Sequence, residues 1–119
     1  MNKYYDLLIK NGMVVDGEGY HRMDIAVNGE KISAVDREIS SQEAIRVVDA
    51  KGLFVLPGII DAHTHPYYKD DFESLATTAA YGGTTTLIHY AYAFSGMEAL
   101  EAAEEAIEKG STLSCLDFA

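Results

Sequence analysis

One short segment constrains this chain more than any other: residues 56–66, where an apolar run meets a Pro-Gly pair and ends in two histidines. Alternate residues of an extended strand point to the same face, so His63 and His65 project together and Thr64 points away from them. Two imidazoles on one side of a strand end are a means of binding one metal ion. We interpret the pair as metal ligands, against the alternative of a strand end that merely carries two polar residues.

Composition places the chain among soluble globular proteins. It has 119 residues, of which 48% are hydrophobic, and a mean hydropathy of -0.05. No apolar run approaches the roughly 18 residues that span a bilayer, and the N-terminus lacks a hydrophobic signal core, so we expect a cytoplasmic protein without a membrane partner. The single cysteine, Cys115, excludes an internal disulfide and agrees with a reducing compartment.

The charge balance argues against nucleic acid as a partner. Nineteen acidic side chains against nine basic ones give a formal net charge of -10. Such a surface repels phosphate backbones. An acidic balance is also ordinary for soluble enzymes, so it leaves the substrate open.

Residues 4–56 have the rhythm of short strands joined by tight turns. Asn11-Gly12 and Asn28-Gly29 each predict a two-residue hairpin, because both positions of such a turn tolerate positive φ. Further strands are expected over residues 45–49 and 53–56, and the polar residues 37–43 are expected to form a mobile loop. We therefore assign residues 1–56 to a small β domain.

After Pro57 the rhythm changes to strand, helix, strand, helix, strand. The first helix is predicted to start at a cap formed by Asp70 with Glu73 and to end at Gly82-Gly83. The second is predicted to start near Ser95 and to end at Gly110. A strand over residues 112–118 follows, with Cys115 buried in it. This order implies parallel strands, and a parallel edge left uncovered at the last strand leads us to expect a longer protein that continues beyond residue 119.

These patterns together resemble the amidohydrolase superfamily. Within it, three segments are similar to the hydantoinase and dihydropyrimidinase group. The superfamily match rests on residues 8–12, 49–52 and 55–65, and the group match on residues 70–72, 79–85 and 116–118. The similarity is to the N-terminal portion of these enzymes.

The resemblance implies an α/β protein: the start of a (β/α)8 TIM-type barrel over residues 57–119, preceded by a small β-sandwich-type domain. In that family the first barrel strand delivers the His-x-His pair to a divalent metal, most often zinc, within a binuclear site at the mouth of the barrel. His63 and His65 then become ligands, and Asp61 supports the strand end behind them. A carboxylated lysine, two further histidines and a catalytic aspartate belong to later strands, so no catalytic residue is expected within this chain.

The implied activity is hydrolysis of a non-peptide C–N bond in a small cyclic amide or ureide by metal-activated water. We expect this chain alone to be inactive, and the complete protein to be a homo-oligomer. Tyr67, Tyr68 and His89 are candidates for the substrate pocket, against simple packing roles. The loop of residues 66–69 is shorter than in typical hydantoinases, which leaves the ring substrate open.

Two other classes of function stay open at this point. One is another amidohydrolase activity, of the dihydroorotase, allantoinase or deaminase type. The other is a noncatalytic relative or structural fragment that keeps the barrel for assembly. A barrel-strand lysine downstream favours a binuclear hydrolase, whereas loss of the later metal ligands favours the noncatalytic alternative.

Overall fold

The computed structural model describes residues 4–67 and 69–119, and the chain divides into two compact units between Pro57 and Gly58. The elements of the first unit are β1 (Tyr5–Asp16), β2 (Gly19–Asn28), β3 (Lys31–Asp36), a 3-10 helix (Ser41–Glu43), β4 (Ala44–Asp49) and β5 (Phe54–Val55). Those of the second are β6 (Ile59–Thr64), α1 (Phe72–Tyr81), β7 (Thr84–His89), α2 (Ala99–Leu113) and β8 (Asp117–Phe118). Among the described residues, no helix has the length and apolar character needed to cross a membrane.

The first unit is a five-stranded sheet built around β1. Its strand order is β3-β2-β1-β4, and β5 also pairs with β1. β2 runs antiparallel to both β1 and β3, whereas β4 and β5 run parallel to β1. The hairpin predicted at Asn28-Gly29 is present, with Asn28 opposite Lys31. A small core closes one face of the sheet, formed by Leu8, Ala26, Ile39 and Ala44.

The hairpin predicted at Asn11-Gly12 is wrong, because β1 continues through these residues. Asn11 does adopt a positive φ of 64°, but it does so at a register shift between Ile9 and Gly12 in the pairing with β2. A bulge of this kind takes one residue out of the ladder and re-aims its backbone. Here the freed N–H of Asn11 donates to the Asp24 carboxylate at 2.8 Å.

Asp24 is a buried carboxylate that ties three segments of the first unit together. Its side chain is 1% exposed, and it accepts from the N–H groups of Asn11 and Ile39 at 2.8 and 2.9 Å. The Lys10 ammonium lies 3.2 Å from it. Burial by itself raises the pKa of Asp24, but the two N–H groups and Lys10 outweigh burial and hold that pKa below its ordinary value of 3.8. The residue 37–43 connector is therefore anchored, since Ile39 is also buried in the core.

The second unit is a three-stranded parallel sheet with the order β6-β7-β8. α1 connects the first two strands and α2 connects the last two, which confirms the predicted alternation of strands and helices. The buried apolar side chains come from both helices and the central strand: Phe72, Ala76, Leu87, Ala102 and Ala106. All three strands consequently end at the same edge of the sheet.

The start of α1 differs from the prediction by one residue. Asp71, not Asp70, is the N-cap, and its carboxylate accepts from the N–H of Ser74 at 2.8 Å. The Ser74 hydroxyl in turn accepts from the N–H of Asp71 at 3.1 Å, which completes a reciprocal capping box. Serine plays the part that the sequence pattern gave to Glu73, because a hydroxyl three residues after the cap reaches the same backbone group.

The end of α2 and the strand after it also differ from the predictions. The helix does not stop at Gly110 but continues to Leu113, and only Asp117–Phe118 forms strand. Gly110 serves packing: a Cβ built there lies 2.5 Å from the Phe118 ring. Cys115 is exposed at a bend instead of buried in a strand. At the other end, Glu98 is the N-cap, without a side-chain cap bond.

Replacing Asp24 with Asn tests the buried carboxylate. We expect the free energy of unfolding at neutral pH to fall by about 2–4 kcal/mol, because the amide loses the charge that Lys10 and two N–H groups stabilise. Since the folded pKa lies below the unfolded one, this stability is present above pH 3.8 and is lost as pH falls through the folded pKa. Denaturant unfolding, with amide hydrogen exchange of β1 and β2 as the local report, measures both effects.

The exposed Asp36 provides the control, as Asp36→Asn. A loss of stability of equal size in the two variants, or a loss for Asp24→Asn that persists unchanged in acid, contradicts the assignment.

Candidate metal centre

The two histidines of the His-x-His segment meet at the carboxyl end of β6. Thr64 is the last residue of the strand and is buried, so its flanking imidazoles both point out of the opposite face. The Nε2 atoms of His63 and His65 lie 2.8 Å apart, and their ring centroids are 4.6 Å apart at an interplanar angle of 71°. The structure therefore brings together the two residues that the sequence predicts as metal ligands.

This arrangement fits a divalent ion of the zinc type. Each Zn–N bond is about 2.1 Å, so two nitrogens that share one ion lie no more than about 4 Å apart, and both must present a lone pair to the same point. His63 and His65 face each other through the same ring nitrogen at 2.8 Å, within that limit but closer than the roughly 3.4 Å between two nitrogens of one tetrahedral ion, so the rings would turn slightly apart to bind it. Among residues 4–67 and 69–119, no group of three or more potential His, Cys, Asp or Glu ligands occurs. The described residues thus bring two candidate ligands together.

Asp61 stands behind the pair on the same strand. Its carboxylate oxygen Oδ1 accepts from the backbone N–H of His63 at 3.2 Å. This contact holds the main chain of the first histidine and leaves its imidazole free to turn toward His65. A structural part for Asp61 at the strand end stays a prediction.

Aromatic rings pack against the imidazole pair. Tyr90 packs against both imidazoles, with ring centroids 4.4 Å from His63 and 5.3 Å from His65. The Tyr92 hydroxyl lies 2.9 Å from Nδ1 of His65. Tyr67 contacts Tyr92 edge to face at 5.7 Å, and burial raises the pKa of its phenol. Of the proposed pocket residues, Tyr68 lies outside the described residues.

His89 sits at the end of β7 and is engaged on a different side from the imidazole pair. Its Nδ1 lies 2.7 Å from the Thr64 hydroxyl, and its ring contacts Phe72 and Phe118. That hydroxyl donates its single proton to the Ile88 carbonyl at 3.1 Å, so it accepts from Nδ1–H of His89. Burial lowers the pKa of His89, which favours the neutral ring with a lone pair on Nε2. This Nε2 is buried without a hydrogen-bond partner among the described residues.

Several known proteins are similar to this chain in sequence. D-hydantoinase of Geobacillus stearothermophilus is 36% identical over 118 residues, which cover 93% of this chain and 25% of that protein. Allantoinase of Salmonella choleraesuis (strain SC-B67) is 43% identical over 89 residues, which cover 71% of this chain and 19% of that protein. No protein-family model matches the sequence.

Solved structures agree. The L-hydantoinase (dihydropyrimidinase) from Arthrobacter aurescens superposes with a TM-score of 0.85 at 34% identity, over 97% of this chain and 27% of that chain. The chain is related to the hydantoinases and dihydropyrimidinases. It spans about a quarter of the length of the hydantoinases that it matches.

The sequence patterns did not single out Tyr90 and Tyr92 as neighbours of the two histidines, nor Phe94, which stacks on Tyr92. Residues 90–94 read aromatic, Ala, aromatic, Ala, aromatic directly after the predicted strand. In an extended segment such alternation places the three rings on one side. That pattern, at the carboxyl end of a strand next to β6, was a usable signal for a ring-lined site.

Thr64→Val tests the link between the two strand ends. We expect a loss of about 1–3 kcal/mol in the free energy of unfolding, because the near-isosteric side chain removes the bonds to both Ile88 and His89 at a buried position. Hydrogen exchange of β6 and β7 amides measures the local effect, and ¹⁵N spectra of the original chain are expected to show the His89 proton on Nδ1.

The matched control is Thr77→Val, at an exposed position on α1. Equal losses in the two valine variants, or a proton found on Nε2 of His89, contradicts this hydrogen-bond assignment.

Proposed function

We propose that this chain is the metal-binding first part of a hydrolase of cyclic amides, of the hydantoinase and dihydropyrimidinase type. The observation that carries the proposal is the convergence of the His63 and His65 Nε2 atoms, 2.8 Å apart, at the carboxyl edge of a parallel sheet. Barrel enzymes assemble their sites at this edge. Similarity to hydantoinases over 93% of this chain supports the same assignment.

We propose that the two units correspond to two parts of such an enzyme. In our proposal residues 57–119 begin a (β/α)8 barrel, because parallel strands with short crossover helices extend naturally into one. Residues 1–56 form part of a small β domain. The cytoplasm is the proposed location, and the complete protein is proposed to be a homo-oligomer.

His63 and His65 would hold the ion, and zinc suits their neutral imidazole nitrogens. When bound, a divalent metal lowers the pKa of its water toward neutrality and so supplies a nucleophile for an amide carbonyl. By resemblance, the remaining ligands of a binuclear site would be a carboxylated lysine and two histidines, with an aspartate as the catalytic residue. Asp61 fixes the backbone of His63, and the Tyr90 ring packs against both imidazoles.

The substrate class is a small neutral ring with an amide or ureide C–N bond. Tyr67 lies beside the Tyr92 ring next to His65, and is placed to contact such a ring at the mouth of the site. Tyr68 stays a candidate by sequence alone. His89 is better placed to join β6 to β7 than to contact substrate, because its hydrogen bond is to Thr64.

Allantoin hydrolysis is the second candidate. Over 89 residues, the 43% identity to the Salmonella allantoinase exceeds the 36% identity to the Geobacillus D-hydantoinase over 118 residues. Both activities open a ureide ring and use the same chemistry, so the His63 and His65 pair serves either one.

The deciding experiment expresses the longest reading frame that contains these residues. The purified protein is assayed with hydantoin, dihydrouracil and allantoin, before and after chelation and with Zn²⁺ restored. We expect chelator-sensitive ring opening of at least one of the three substrates. Metal-replete, folded protein that hydrolyses none of them contradicts the proposed function and favours a noncatalytic relative.

The 119-residue chain by itself is expected to bind Zn²⁺ weakly and to hydrolyse none of these substrates, because two imidazoles leave most of the coordination shell to water. His63→Ala and His65→Ala are each expected to weaken Zn²⁺ binding by about tenfold or more. Competition with a chromophoric chelator measures the affinity. His21→Ala, at an exposed position on β2, is the control; metal-dependent turnover by the short chain overturns the prediction.

A further inference from the structure

A tyrosine that sequence patterns did not single out holds the second histidine of the pair. The Tyr92 hydroxyl is 2.9 Å from Nδ1 of His65, and the two ring centroids are 5.4 Å apart. Tyr92 is itself fixed by packing, edge to face against Tyr67 at 5.7 Å and stacked with Phe94 at 6.3 Å. The Tyr92 hydroxyl therefore faces Nδ1 of His65.

The position of the proton on His65 decides what that contact does. A neutral imidazole binds metal through an unprotonated nitrogen, so a histidine that coordinates through Nε2 carries its proton on Nδ1. A phenol oxygen either donates or accepts a hydrogen bond. As an acceptor at Nδ1–H, Tyr92 would select the tautomer of His65 whose Nε2 lone pair faces His63.

The facing nitrogens give a second constraint. Two neutral imidazoles that share a hydrogen bond at 2.8 Å hold one proton between their Nε2 atoms. If His65 carries its proton on Nδ1, the shared proton belongs to Nε2 of His63. In the metal-free chain His63 is then the donor and His65 the acceptor, so His63 must move its Nε2 proton to Nδ1 or release it to water before its own Nε2 can bind an ion.

We propose that Tyr92 is a positioning residue that accepts a hydrogen bond from Nδ1–H of His65 and presets its Nε2 lone pair for a divalent metal. The proposal rests on the proposed function for the metal-binding part alone. Tyr90 differs from Tyr92, because it meets the same two imidazoles through its ring, at 4.4 and 5.3 Å. The site thus combines one tyrosine that acts through its hydroxyl with another that acts through its face.

The test uses the ¹⁵N-histidine-labelled 119-residue chain without metal, at about pH 8, where unperturbed imidazoles are neutral. Long-range ¹H–¹⁵N correlation spectra report which ring nitrogen carries the proton. We expect Nδ1–H for His65 and Nε2–H for His63. Tyr92→Phe is expected to give a mixture of His65 tautomers and about tenfold weaker Zn²⁺ binding.

Tyr90→Phe is the matched control, since it removes a hydroxyl but keeps the ring contact, and we expect it to leave the His65 tautomer unchanged. A His65 proton on Nε2 in the original chain, or an unchanged tautomer in Tyr92→Phe, overturns the proposal. If the tautomer shifts but neither chain binds Zn²⁺, the assignment of Tyr92 is supported while the proposed metal site fails. Amide spectra of both variants verify that they are folded.

Discussion

The parallel pairing of β6 with β7 is the constraint on which the proposed site depends. It sets Thr64 opposite His89, so two strand ends stop at the same level and their polar side chains meet at one edge. The buried Thr64 hydroxyl reinforces this register, because it donates to Ile88 and accepts from His89. Because side chains alternate along a strand and Thr64 faces inward, His63 and His65 face the opposite side.

Much of the second unit follows from periodicity. The period of two gives the shared face of His63 and His65, and the change from strand spacing to helical spacing after Pro57 gives the alternation of strands and helices. Both are local properties of the backbone, so a single sequence is enough to predict them. That the two histidines bind metal stays a prediction.

The predictions from sequence were wrong or incomplete where a residue contacts a partner far away in the chain. Asn11-Gly12 has the chemistry of a hairpin turn, but the Asp24 carboxylate, thirteen residues away, takes its N–H and turns the position into a bulge. Gly110 has the chemistry of a helix stop, yet it gives room to the Phe118 ring. The hydrogen bond between Tyr92 and His65 was not predicted, because that contact depends on the path of a loop. None of these partners can be identified from local propensity.

Gly110 has one further consequence. The Phe118 ring occupies the gap left by its absent side chain, whereas one helical turn earlier lies Ala106, which has a Cβ. The contact therefore fixes the position of α2 along its own axis relative to β8. β7 holds the start of the connection that leads to α2, so the residues between His89 and Ala99 span a fixed distance between two packed elements. The aromatic side chains beside the histidines lie on this connection.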